Sequence, residues 1–355
     1  MMSAATPPRN ASAEPLTRRR FLQAGALVLA GSCFRPDSPS GAAEAPGPAP
    51  KFLLQWGKKG SGRGEFDFPI GIAVNGADEI LVTDFYNDRV QKFTREGKFL
   101  AAFPVPAHPG PLALDAAGDL YISHFGFMKA KEQRKPDQVT VHAAAGKFLR
   151  AWGKTGTGDG EFDFPGGVAV GRDGRVYVAD QTNRRVQVFD ARGKFLTKWG
   201  KYGTGPGQFG GNVVPASRVG GPQFVALDGA GHVFTTEGSV GRVQKFTTEG
   251  KFLLAWGDNQ VKPGSFGGAF SGFKGRKGSL QGPVGICVDP QRRVWVSAVC
   301  GRIQQFTDAG KYLRGFGGSG TGPGQFFAPH ALALDSRGHL YVVDAFNHRI
   351  QKFAV

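Results

Sequence analysis

Three copies of one polar set, Asp-x-x-Asn-x-Arg, stand out among the residues that could do chemistry: Asp84, Asn87 and Arg89, then Asp180, Asn183 and Arg185, then Asp344, Asn347 and Arg349. A carboxylate beside an amide and a guanidinium could activate a nucleophile or hold a cation. Recurrence along one chain argues for another role. An Asp that accepts hydrogen bonds from turn amides and from a following Arg fixes a loop, and a repeated loop needs the same joint each time. The sets are therefore expected to be structural. Corresponding positions at His124, Glu237 and Ala298 depart from the pattern. Glycine-rich stretches such as Gly57 to Gly64 look like phosphate cradles, but no helix pattern follows them, so they read as turns. No Ser/His/Asp order, Cys-x-x-Cys spacing or paired-carboxylate motif stands out, and no catalytic residue is assigned.

The joints belong to a larger period. Each repeat has four short segments rich in Val, Ile, Phe and Tyr and punctuated by Gly and Asp, as strands are. The first is GIAV at 71 to 74, with PLALD, GVAV, FVALD, GICVD and ALALD as later versions. The second runs from EILVTD to HLYVVD, and the third from RVQKF at 89 to 93 to RIQKF at 349 to 353, with a divergent QVTVH in the second repeat. The fourth is the GKFL strand, and the sixth repeat ends without one. The stretch KFLLQWG at 51 to 57 supplies it from the other end of the chain. The expected fold is all-β, a six-bladed propeller of four-stranded blades over 51–355, with the last blade closed by the N-terminal strand 51–57. Closure of this kind removes the open edge that a sheet otherwise presents.

The run P-x-G-[IV]-A-V-x-x-x-G-x-[IV]-Y-V-[AT]-D-x-x-N-x-R-[IV]-Q-x-F resembles the NHL repeat family of six-bladed propellers, and repeats one, three and six match it best. Within that family, His330 at the start of the sixth inner strand looks like a zinc-ligand position of the peptidylglycine amidating lyases, and Tyr86 resembles their loop tyrosine. The resemblance implies three histidines around one zinc, for which His330, His124 and His108 are the candidates. The matching starts of the other inner strands are Ile70, Gly110, Gly166, Gln223 and Val284, none of them a ligand. The ordinary alternative for His330 is a bond to a backbone carbonyl. His232 and His339, in equivalent tight turns, are expected to be solvated, and His142 replaces a core Phe.

Residues 1–45 read as a twin-arginine export signal: Thr17-Arg18-Arg19-Arg20-Phe21-Leu22-Gln23 precedes an apolar run, Ala24 to Ser32, too short to span a membrane. Ala43-Glu44-Ala45 has the form of a cleavage site, and 46–50 would be a linker. Leu29 to Cys33 is close to a lipoprotein box, with its Leu one position early, so a lipid anchor at Cys33 is an alternative. Loss of the leader lowers the formal charge only from +16 to +14. Such a surplus favours anionic partners. Cys287 is expected to face Trp295, with Cys300 beyond disulfide reach.

Loops after the second and fourth strands emerge on one face, and all the irregular insertions map there: 125–137, 210–221 and 267–282. Two of them are basic, with Lys129, Lys131, Arg134 and Lys135 in one and Phe273, Lys274, Arg276 and Lys277 in the other. The leading expectation is an exported binding module of the periplasm or cell surface, monomeric, without a cofactor or transmembrane helix, taking an anionic glycan, peptide or protein on that face. Nucleic acid is not expected as a partner, because export separates the two. The alternative is a lyase or lactone hydrolase with zinc or calcium at the channel mouth.

Overall fold

The computed structural model describes residues 48–126, 136–210, 220–267 and 282–355. Among them, strands β1 to β24 in chain order form six four-stranded antiparallel sheets. Blade one is β2 (Pro69–Val74), β3 (Ile80–Asp84), β4 (Arg89–Phe93) and β5 (Phe99–Pro104), in that spatial order. The same meander recurs over 109–152, 165–199, 225–256 and 283–317. Among the described residues no helix is long and apolar enough to cross a membrane.

Blade six completes the ring as expected. Its order is β1 (Lys51–Trp56), β24 (Arg349–Ala354), β23 (His339–Asp344), β22 (Pro329–Leu334). β1 pairs antiparallel with β24, with a register shift between Phe52 and Leu54. Outer strands of the other blades carry the same irregularity opposite the equivalent aromatic, for instance between Lys92 and Phe93 in blade one. β1 is thus a fourth strand in detail as well as in place.

The Trp that ends this strand explains the glycine of the recurring GKF motif. Trp56 leans across to blade one, where its ring lies 5.8 Å from that of Phe93, while Tyr341 of its own blade stands 6.1 Å away. A Cβ at Gly97, whose φ is +77°, would sit 2.7 Å from the indole. Only glycine admits both the left-handed backbone and the overlying ring. Trp152, Trp199 and Trp256 cover Gly193, Gly250 and Gly310 in the same way.

Hydroxyl groups on the second strands stitch neighbouring blades near the axis. Thr83 Oγ1 donates to the Gly110 carbonyl at 2.8 Å, Ser123 Oγ to Gly166 at 2.6 Å and Ser297 Oγ to His330 at 2.6 Å. Cys287 pairs with Trp295 across its hairpin, as expected, and no disulfide joins it to Cys300.

Two outcomes follow for the closing strand. Deletion of residues 46–57 should leave a protein that aggregates or loses its cooperative melt by differential scanning calorimetry; a monomer with an unchanged melting temperature would refute the composite blade. Trp56→Ala should cost roughly 1.5 to 3 kcal/mol in urea denaturation.

Candidate functional site

The repeated polar sets prove to be joints. Both Asp84 oxygens are engaged: Oδ1 accepts the Asp67 N–H at 2.7 Å, and Oδ2 accepts from Asn87 at 2.9 Å, Arg89 Nε at 2.8 Å and Gln91 at 3.2 Å. Arg89 then clamps the preceding turn through the carbonyls of Ser61, Gly62 and Glu65, each at 2.8 Å. Asp180 with Asn183 and Arg185, and Asp344 with Asn347 and Arg349, repeat the arrangement, each Nε to Oδ2 contact being 2.8 Å. Burial pushes the Asp180 carboxyl up to about 6 against the pull of these donors, and raises Asp84 and Asp344 as well. A carboxylate with every lobe committed to loop amides and a guanidinium is poorly placed to take a proton from a substrate.

Two of the three apparent exceptions keep the joint by other means. Glu237 accepts from Gly210 N–H at 2.5 Å and from Arg242 at 2.8 Å, so the longer acid serves blade four. In blade two, His124 stands at the strand position of the Asp, but Asp137 supplies the carboxylate from across the insertion, accepting from Gly126 N–H at 2.6 Å and Thr155 Oγ1 at 2.8 Å. Blade five alone, with Ala298, puts no carboxylate beside its arginine among the described residues.

On the insertion-bearing face the structure gathers an aromatic belt, which the sequence reading did not assemble. Ring centroids follow one another from Phe327 to Phe346 at 5.4 Å, Phe346 to Phe68 at 4.9 Å, Phe68 to Phe85 at 5.9 Å, Phe85 to Phe125 at 5.8 Å and Phe125 to Phe164 at 4.7 Å. Tyr86 lies against both Phe68 and Phe85, and the ring of His108 stacks on Phe85 at 5.0 Å. Phe68, Tyr86, Phe164, Phe327 and Phe346 are half-buried and keep part of their surface in contact with solvent.

The belt rests on an unusual backbone. Phe68, His108, Phe164 and Ala328 each precede the proline that opens an inner strand, and their φ values are +64°, +58°, +60° and +51°. Left-handed backbone at such residues costs on the order of 1 to 3 kcal/mol each, and the surrounding loops hold it. Asp88 Oδ1 accepts the His108 N–H at 2.9 Å, and His348 Nδ1 accepts the Phe68 N–H at 3.1 Å. The sequence signal was the recurring aromatic-Pro pair, Phe68-Pro69, His108-Pro109 and Phe164-Pro165.

The candidate metal ligands are placed less favourably. Nδ1 of His330 contacts the Ala328 carbonyl at 2.8 Å, the ordinary role expected of it, and its ring stands 5.5 Å from that of Phe68. Buried His124 has both ring nitrogens engaged, with the Ala107 carbonyl at 3.2 Å and Thr140 Oγ1 at 2.8 Å. Among the described residues no group of three His, Cys, Asp or Glu side chains is arranged to hold a metal. Lys129, Lys131, Arg134, Lys135, Phe273, Lys274, Arg276 and Lys277 lie outside the described residues. His232 and His339 correct the sequence reading: they are not simply solvated, since their Nδ1 atoms lie 2.6 Å from Asp228 and 2.8 Å from Asp335, with side chains about one quarter exposed. Each follows its Asp by four residues in a tight turn, a spacing that brings the imidazole back onto the carboxylate.

Comparison with known proteins agrees with this architecture. Residues 66–93, 162–189 and 328–353, in blades one, three and six, match the NHL repeat. Protein brain tumor of Drosophila melanogaster is 29% identical over 139 residues, which is 39% of this chain and 13% of that protein. NHL repeat-containing protein 3 of Mus musculus is 30% identical over 137 residues, 35% of this chain and 40% of that protein. The chain therefore matches less than half the length of either relative. A solved streptogramin B lyase superposes with a TM-score of 0.56 at 14% identity, covering 86% of this chain and 97% of the lyase, a likeness of fold.

Burial lowers the His124 pKa to about 4, and lowers His142, His330 and His348 in the same direction. The stability that His124 contributes is present above its unfolded value near 6.5 and is lost as the pH falls toward 4, by roughly 3 kcal/mol. In urea denaturation from pH 7 to 4, His124→Gln should therefore lose stability less steeply than the parent, by about one proton. The raised Asp180 carboxyl acts in the opposite sense in both proteins and cancels in the comparison. Equal slopes would contradict the assignment.

Proposed function

We propose that this chain is an exported binding module that takes an anionic glycan, an acidic peptide or an acidic protein surface on its insertion-bearing face. The observation that carries this reading is the aromatic belt, a run of buried and half-buried rings on one face held up by strained backbone. Aromatic faces suit sugar rings, peptide side chains and methylenes alike. The insertions expected on this face are basic in sequence. Segment 127–135, which follows Phe125 and Gly126, carries Lys129, Lys131, Arg134 and Lys135 against the single acid Glu132. Segment 268–281 carries Lys274, Arg276 and Lys277 and no acid. On the opposite face the tight turns carry cations and acids together, several of them paired, as Arg95 is with Asp78 and Arg293 with Asp289.

Polygalacturonate and poly-glutamate, fluorescently labelled, are suitable probes. Binding should weaken steeply as NaCl is raised from ~50 to ~300 mM, because Lys and Arg release counterions on meeting a polyanion. Tyr86→Ala and Phe346→Ala should each weaken it by about fivefold or more, the worth of one aromatic contact. Affinity independent of salt and unchanged in both variants would overturn the proposal. A metal-dependent lyase or lactone hydrolase at the channel mouth would require His124 to surrender its bonds to Ala107 and Thr140, and nothing in the arrangement favours that exchange.

Export to the periplasm or cell surface belongs to the same proposal and rests on the leader sequence. Residues 1–45 fused to a reporter should deliver it outside the cytoplasm, and changing both Arg18 and Arg19 to Lys should abolish delivery. Delivery by the double variant would refute a twin-arginine route.

A further inference from the structure

Blade five departs from its sisters at three positions that meet around one arginine. In blades one, three, four and six, the arginine that opens the third strand has its Nε 2.8 Å from a carboxylate oxygen, of Asp84, Asp180, Glu237 and Asp344. Arg302 occupies this place in blade five and is as buried as Arg185 and Arg349, at 7% exposure. Ala298 stands where the acid should be, and the Arg302 Nε points instead to Cys300 Sγ at 3.3 Å. Its other bonds go to the backbone carbonyls of Lys262, Ser265 and Gly267 at 3.2, 3.2 and 2.8 Å. No carboxylate lies within ion-pair distance of Arg302 among the described residues, and residues 268–281, which continue from Gly267, contain no Asp or Glu.

The second and third departures open space beside this cation. Gly315 pairs with Gln304 across the outer strands. At that position the other blades place Ala102, Ala151, Lys198, Ala255 and, in blade six, Gln55. Gln55 shows what the position can reach: its Oε1 accepts from Arg349 Nη1 at 2.9 Å. In blade five that second Nη1 hydrogen of the arginine has no such acceptor. Tyr312 replaces the Phe of the GKF motif, and its hydroxyl lies 3.1 Å from where a Gly315 Cβ would be. The result is a cavity of about 90 Å³ lined by Arg302, Gln304, Tyr312 and Gly315 and by the exposed Pro263 and Gly317. That is room for several waters or one small ion.

A buried guanidinium without a counter-ion, next to a vacant volume and a phenol, is a receptor for an anion that can accept two hydrogen bonds. We propose that the Gly315 cavity binds a carboxylate group, one oxygen accepting from Arg302 Nη1 and the other from the Tyr312 hydroxyl. The bound group takes the place that Gln55 fills in blade six and supplies the charge that Asp and Glu supply in the other blades. The site is separate from the aromatic belt and does not depend on the function proposed for it.

The test uses the whole chain with two probes, sodium acetate and N-acetyl-aspartate amide, which distinguish a free small carboxylate from an acidic side chain. Melting temperature is read against sodium chloride at constant ionic strength, and binding of acetate by broadening of its 13C carboxylate line. At least one probe should raise the melting temperature and bind. Gly315→Ala, whose methyl would press on Tyr312, the Ile303 carbonyl and Gln304, should weaken that binding by about tenfold or more, as should Tyr312→Phe. Ala298→Asp, which restores an internal acid, should melt higher in chloride and lose the response to the probe. Should both variants at position 315 and 312 fail to fold, Ala298→Asp alone decides the matter. No response to either probe, or a response that survives Gly315→Ala or Ala298→Asp, would overturn the proposal.

Discussion

Antiparallel pairing of β1 with β24 is the contact on which the remainder of the molecule depends. Without β1, blade six would stop at three strands and leave β24 as an uncovered outer edge, and here residues near 51 and 354 are laid side by side as neighbours in one blade. The pairing does more than cover an edge. Because Trp56 reaches past its own sheet onto Gly97 and Phe93, the closing strand also fastens blade six to blade one. With the ring fixed, each inner strand delivers its first residue to the same end of the axis, and the belt from Phe327 to Phe164 becomes one continuous surface rather than a set of separate loops.

Rigidity in this protein comes from repetition of a costly device. Each joint buries a carboxylate, and burial alone raises its pKa and opposes its charge. The arginine, the asparagine and the turn amides offset that cost only when all of them arrive together. Once in place, they tie the third strand to the turn that precedes the blade, and so hold the pre-proline residues in the left-handed conformation. Strain at Phe68 and Phe164 is thus supported by polar bonds at each residue and the one before it: Phe68 N–H to His348 and Asp67 N–H to Asp84, Phe164 N–H to Asp137 and Asp163 N–H to Asp180. The same logic makes blade five informative, since it keeps the arginine and its carbonyl clamp while dropping the acid.

Most of the fold was legible in the sequence because its determinants are local and repeated. Period-two alternation, Gly and Asp at fixed offsets and a count of four segments per repeat were enough to place KFLLQWG in the last blade. Repeats one, three and six, which follow the family pattern most fully, are the ones that match the NHL repeat. What escaped the reading depends on contacts distant in sequence. Asp137 serves a joint whose strand ends at His124, and the intervening insertion hides the relation. His232 looked exposed because a turn position says nothing of the carboxylate of Asp228 folded beneath it. The aromatic belt was missed because its members lie in four blades, and only the ring geometry brings Phe346 against Phe68. Arg302 was missed for the opposite reason, since its pattern is intact and only its partner has changed.

Native-state hydrogen exchange of the 46–355 protein, followed by mass spectrometry on fragments covering β1 and β24, tests the central role of ring closure most directly. The account predicts that amides of residues 51–56 exchange only through global unfolding, with the same free energy and the same denaturant dependence as those of residues 349–354. Exchange of 51–56 that is orders of magnitude faster, while the rest of blade six stays protected, would mean that the strand frays freely and that the ring holds together without it.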